Sequence, residues 1–279
     1  MSVDLAALHG WVGHSQTDDD TAALRPARLL AATLGLDGAA LQAGAALPPL
    51  WHWLYFLEGL PPDQLGRDGH PALGGFLPPV PLPNRMWAGG RLRWLAPLPL
   101  GAALTRRSQV LRIESKQGRS GPLVFVTVRH DIAADGQAVI EEEQDLVYRQ
   151  PVPAAALAPA PEAADGVLLE TLRTDATLLF RYSALTFNGH RIHYDVDYCR
   201  DVEGYAGLVV HGPLQATWLA GVAQRHLGRP LTRLTYRALA PATAGMTLSA
   251  RLGREADDGL TLASVMPDGA VSMQAKAEA

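Results

Sequence analysis

The chain has 279 residues, 48% hydrophobic and 19% charged, with a formal net charge of −4, which excludes a disordered chain and predicts one large domain or two smaller ones. With a pI near 6.1 it lacks the basic footprint of a nucleic-acid-binding domain. The lone Cys199 excludes an internal disulfide and a cysteine-rich metal site, and it suits a reducing, cytoplasmic compartment. The opening MSVDLAALHGWVGHSQTDDD shows no basic stretch leading into an apolar core, so no secretory signal is expected. No apolar run reaches the roughly 18–20 residues that span a bilayer.

Residues 17–35 are predicted as a helix, because Thr17 and three aspartates place acceptors and negative charge at an N-terminus and Gly35 suits a stop. From Leu47 to Gly90 the Pro- and Gly-rich chain is expected to be irregular but ordered, since its interspersed aromatics need burial. Ser108–Ser115, Leu123–Asp131 and Val139–Tyr148 read as an antiparallel meander with Gly-containing turns. Within it, Glu141–Glu143 reads as a solvated edge or face.

Residues 151–166, opening PVPAAALAPAPEAAD, read as a linker between a first half (1–150) and a second (167–279). Strands are then predicted at 167–173 and 177–185, and a helix from about Pro213 to His226, with Leu214, Trp218, Leu219 and Val222 on one face. Further strands follow near 230–240, 245–253, 259–265 and 270–276. Both halves carry Ala-Pro-x-x-x-Gly before a strand. Pro97 and Pro241, like Gly101 and Gly245, stand 144 residues apart, which predicts a duplication.

The chemistry concentrates in Phe180–Leu214, FRYSALTFNGHRIHYDVDYCRDVEGYAGLVVHGPL. Asn188 and His193 lie five residues apart with Gly189 between, as on a loop or short helical turn. An imidazole there is either an acid–base group, with a nearby amide or carboxylate orienting a water, or a satisfied polar residue of the turn. A zinc set of His190, His193, Asp195 and His211 matches no metal-ligand spacing. Gly212 opens the predicted helix. There it either lets a ligand reach a free N–H that polarises a carbonyl, or merely permits a tight turn. Dinucleotide, P-loop and serine-hydrolase motifs are missing.

At these residues, and at GHPALGGFLPPVPLPNRMWAGGRL in the first half, the sequence resembles the MaoC-like, double-hotdog enoyl-CoA hydratases and dehydratases. Within them it is similar to the branch of mesaconyl-C4-CoA and itaconyl-CoA hydratases and mitochondrial-type 3-hydroxyacyl-thioester dehydratases. The resemblance implies an α+β double hotdog, a curved antiparallel sheet wrapped around a long central helix in each repeat, with the first repeat shaping an acyl pocket and the second catalytic. The family's Asp-x-Asn-Pro-apolar-His-x-Asp pattern falls on Asn188, His190, Arg191, His193 and Asp195. Its catalytic imidazole is thus His193, and its first acid is replaced by Asn188. Its oxyanion donor falls at the Gly212 N–H. His190, Tyr194 and His211 are expected to face substrate. Arg85, Arg181 and Arg191 are expected to clamp a dicarboxylic acyl group, or else to meet CoA phosphates or solvent. The implied reaction is water addition to an α,β-unsaturated acyl-CoA by a hydro-lyase without metal or cofactor. The protein is expected to be a homodimer that binds neither nucleic acid nor membrane. The alternatives are a fatty-acid-synthesis dehydratase and a non-catalytic acyl-thioester-binding protein.

Overall fold

The computed structural model describes residues 5–118, 121–151 and 166–279; the predicted linker, past Pro151, lies outside them. Fourteen longer elements follow along the chain. They are α1 (Leu5–His9), β1 (Ser15–Thr21), α2 (Leu24–Thr33), β2 (Asn84–Trp94), β3 (Ala103–Gly118), β4 (Gly121–Ala134), β5 (Gln137–Arg149), β6 (Val167–Arg173), α3 (Ala176–Leu185), α4 (Gly212–Leu227), β7 (Arg233–Ala238), β8 (Thr247–Ala256), β9 (Gly259–Val265) and β10 (Val271–Glu278). The strands form one antiparallel sheet in the order β1-β3-β4-β5-β2-β7-β10-β9-β8-β6. Read from the centre outward, the two sides are the same: β2 and β7 meet from Gly89↔Arg237 to Arg93↔Arg233, and each is followed by the last, middle and first strand of its own meander.

The matched Ala-Pro-x-x-x-Gly segments occupy equivalent places. Gly101 and Gly245 have φ of 96° and 92°, in the region that favours glycine. The Gly101 N–H donates to Ala22 O while Ala22 N donates to Ala102 O. In the second half, Gly245 N donates to Thr174 O and Thr174 N to Met246 O, which repeats the lock.

The core forms around α4. Pro213 sits in its first turn and Gly228, at φ 66°, ends it. Leu214 and Leu219 are fully buried and join Leu234, Leu248, Leu260, Leu262 and Met273 of the sheet in one apolar cluster. Among the described residues the long helix occurs once. The interval 47–83 of the first half, expected to be irregular, holds only short 3₁₀ turns at Trp51–Leu54 and Pro62–Gln64, as its proline content dictates.

Four sequence expectations are corrected. Residues 84–90, expected to be irregular, open the strand β2 at the centre of the sheet, paired with β5 and β7. Residues 15–21 form an edge strand, because the acidic run is satisfied across the ladder: Asp18 pairs with Arg106 and Asp19 accepts from Thr105. The helix starts only at Leu24, although Gly35 does close it. Residues 176–185 are the helix α3, not a strand. Asp175 caps it by accepting from Leu178 N at 2.9 Å, and its buried Leu178, Leu179 and Tyr182 follow helical spacing. Glu142 is buried, because β5 is an interior strand whose alternation turns this side chain inward to accept from His52, Trp53 and Gln144. Burial pushes its carboxyl up, but these bonds outweigh it and hold the pKa at about 2.

Candidate active site

The loop between α3 and α4 is tied at both ends. Asn188 N donates to Ser183 O at 2.8 Å, and its Oδ1 accepts from His190 N at 2.9 Å in an Asx turn. A 3₁₀ turn, Arg191–His193, follows, and its buried Ile192 O receives Val209 N and the Cys199 thiol. These bonds hold His193 against the start of α4. Its Nδ1 lies 2.7 Å from Val209 O. A carbonyl can only accept, so Nδ1 carries the hydrogen and Nε2 keeps its lone pair. Burial drives the His193 pKa down to about 3, against the opposing pull of the Val209 carbonyl. The ring is therefore neutral at physiological pH.

The His193 ring stacks on His211 with centroids 3.5 Å apart and planes 19° apart. His211 caps α4, and its Nε2 lies 2.8 Å from Ser183 Oγ, while its buried Nδ1 has no protein partner. Gly212 begins the helix, and a Cβ added there would meet nothing closer than Met273 Cε at 4.0 Å.

The remaining expected residues divide. His190 joins the cluster: it is buried, edge-on to His193 at 5.5 Å and packed against His70 at 4.4 Å between centroids. Arg85 joins it too. It is half-buried on β2, and its charge bears on Asp68, His70, Tyr148 and His190. Arg191 is spent elsewhere, with Nε and Nη2 both on Asp195 Oδ2 (3.0 and 2.7 Å) and its guanidinium 4.3 Å over the Tyr198 ring. Arg181 is exposed on α3, and the exposed Tyr194 donates to Gly189 O.

Sequence reasoning missed Asp68 and His70, which lie in the Pro- and Gly-rich interval of the first half. Their backbone docks on the loop between α3 and α4: Asp68 O accepts from Arg191 N at 2.9 Å and Arg67 O from Arg191 Nη1 at 3.3 Å. Gly69, at φ 85°, packs so closely that a Cβ there would overlap the Gly189 carbonyl, and one on Gly189 would sit 2.8 Å from Gly69 O. Replacing Gly69 with alanine adds both that overlap and left-handed strain, on the order of 1–3 kcal/mol. The loop should lift away, with kcat/KM falling at least tenfold while the far-UV spectrum is unchanged; wild-type kinetics in G69A would refute this docking role.

Among the described residues, Asp68, His70 and His190 form the one group of three donors, all within 4.8 Å of one another, that could ligate a metal ion. The Arg85 guanidinium faces all three and opposes a cation there.

The family described as hydroxyacyl-thioester dehydratase type 2 matches residues 50–244. The chain belongs to this family. The mesaconyl-C(4)-CoA hydratase of Chloroflexus aurantiacus is 45% identical over 271 residues, covering 96% of this chain and 96% of that protein. The mitochondrial hydroxyacyl-thioester dehydratase type 2 of Schizosaccharomyces pombe is 27% identical over 233 residues, covering 73% and 76%. Among solved structures, a MaoC-like dehydratase superposes with a TM-score of 0.71 over 98% of this chain and 99% of that one, at 15% identity. A Mycobacterium tuberculosis protein with a double hotdog fold gives 0.58 over 96% of each chain, at 16%. As a member of the hydroxyacyl-thioester dehydratase type 2 family with a double hotdog fold, the protein is a hydro-lyase of acyl thioesters.

Proposed function

We propose that the protein adds water reversibly to a short, dicarboxylic α,β-unsaturated acyl-CoA, such as mesaconyl-C4-CoA or itaconyl-CoA, with His193 as the base. The observation that carries this reading is the free Nε2 lone pair of His193, fixed by the Nδ1 bond to Val209 O. That lone pair takes a proton from water as the oxygen adds to the β-carbon. The α-carbon then takes up a proton, and the Gly212 N–H at the start of α4 holds the negative thioester oxygen between the two steps. Asn188 spends Oδ1 on His190 N, which leaves its Nδ2 hydrogens to orient the water. The second half (167–279) carries this chemistry and the first (1–150) shapes the acyl pocket.

Arg85 holds the distal carboxylate in this reading. It is half-buried beside His70 and His190, whereas the Arg191 fork is filled by Asp195. A charged hydrogen bond of this kind contributes about 1.5–3 kcal/mol, or roughly 10- to 150-fold. Turnover of mesaconyl-C4-CoA by R85M should fall by that factor while turnover of crotonyl-CoA changes little. If dicarboxylyl-CoA turnover survives replacement of Arg85, Arg181 and Arg191 together by methionine, the clamp is wrong. Water addition to crotonyl-, mesaconyl-C4- and itaconyl-CoA, with dehydration of long 3-hydroxyacyl thioesters alongside, tests the substrate class. Activity confined to the long thioesters would overturn the dicarboxylate reading.

A further inference from the structure

Asp68-Gly69-His70 and Asn188-Gly189-His190 are the same tripeptide pattern, 120 residues apart. They also fold alike. Asp68 Oδ1 accepts from His70 N at 3.1 Å, as Asn188 Oδ1 accepts from His190 N at 2.9 Å. The two Asx turns face each other, glycine against glycine, with the His70 and His190 rings packed 4.4 Å apart. They differ in one group: the first half's turn has a carboxylate where the second half's has an amide. The Asp68 carboxylate is not spent on its own turn, because Oδ2 also lies 3.3 Å from His70 Nδ1. That bond leaves His70 Nε2 as the free ring nitrogen, on a side chain 25% exposed.

We propose that the first half supplies the second acid–base group of this site, His70, with Asp68 as its positioning residue, in place of the acid that Asn188 cannot be. The proposal rests on the hydratase reading. Hydration takes one proton from water and delivers one to the α-carbon. His193 Nε2 accepts the first as the water oxygen bonds to the β-carbon and the C=C pair moves onto the thioester as an enolate. The second comes from His70 Nε2, where Asp68 favours the proton against burial and the Arg85 charge, and it reaches the α-carbon as the enolate pair returns. His193 then releases its proton and His70 regains one by exchange with solvent, which its partial exposure permits. The groups facing His70 are Asp68 on its own loop, Arg85 from β2, and His190 with His193 from the opposing loop.

The test uses the full-length enzyme with the best substrate of the panel above. H70A and H70Q should melt as wild type does yet lose at least 10²-fold in kcat, as expected for removal of an acid–base group. Added imidazole should partly restore H70A, with a pH dependence following imidazole's own titration. D68N should fall about tenfold or more with a displaced pH profile, and D68E should regain part of the loss. Rates within twofold of wild type in both His70 variants overturn the proposal, as does a folded H70A that imidazole does not help. A wild-type enzyme inactive on the whole panel instead overturns the hydratase reading, and this proposal with it.

Discussion

Replacing His193 with alanine or glutamine should slow hydration about 10²–10⁴-fold, while the variant binds acyl-CoA with little change in KM. The expectation follows from how completely the ring is committed. Val209 O fixes the tautomer, His211 covers one face, and His190 stands edge-on. Asn188 cannot stand in for the ring, because an amide does not take a proton in this range. Glutamine retains hydrogen-bonding capacity, so a matching loss in both variants would point to proton transfer and not to lost packing. Steady-state kinetics paired with melting curves make the measurement. An H193A enzyme with near-full hydratase rate would sink the assignment of His193.

A second large effect should appear on acidification. His130, His190, His193 and His211 are all buried, and burial lowers the pKa of each, with His130 at about 4 and His193 at about 3. In the unfolded chain each takes up a proton near its ordinary value of about 6.5. The folded chain refuses that proton until far lower pH. Stability is therefore full above pH 6.5 and is lost as pH falls from there toward 3–4. Between pH 7 and 5 each such imidazole costs on the order of 2 kcal/mol, and the four together rival the whole stability of a typical domain. The melting temperature should drop steeply across that window. In H130Q or H211Q the drop should be shallower by about one proton's worth of slope. The carboxylates Asp68 and Glu142, lowered by their partners, act only below about pH 4.5, a separate window. A melting temperature flat from pH 7.5 to 5 would contradict the burial of these rings in solution.

Much of the fold was legible from local pattern. Strands β3 to β5 and β7 to β10 announce themselves through alternation and Gly-containing turns, and α4 through Pro213 and Gly228. Failures came where a partner distant in sequence decides. The aspartates of β1 are satisfied by Arg106 and Thr105 on another strand, and Glu142 by His52 and Trp53 some 90 residues away. At the site, His193, His190, His211 and Gly212 were visible because they crowd one segment, and their placement together agrees with that density. Asp68 and His70 were hidden in a Pro-rich stretch where no periodicity operates. Their signal was the recurrence of Asx-Gly-His, legible only when the two halves are aligned by function instead of by the Ala-Pro-x-x-x-Gly offset.

The mirrored strand order has a consequence for how such a site diverges. Two identical subunits meeting edge to edge would present each turn twice, and any change in one copy would appear in the other. Here the two sides of the sheet are encoded separately, so one side can carry Asp68 and the other Asn188, each in an Asx turn of its own. The first side also holds the irregular interval 47–83, whereas the second holds the long helix α4. The chain thus has the strand symmetry of a homodimer and the chemical freedom of a heterodimer whose partners never dissociate and are always made in equal number.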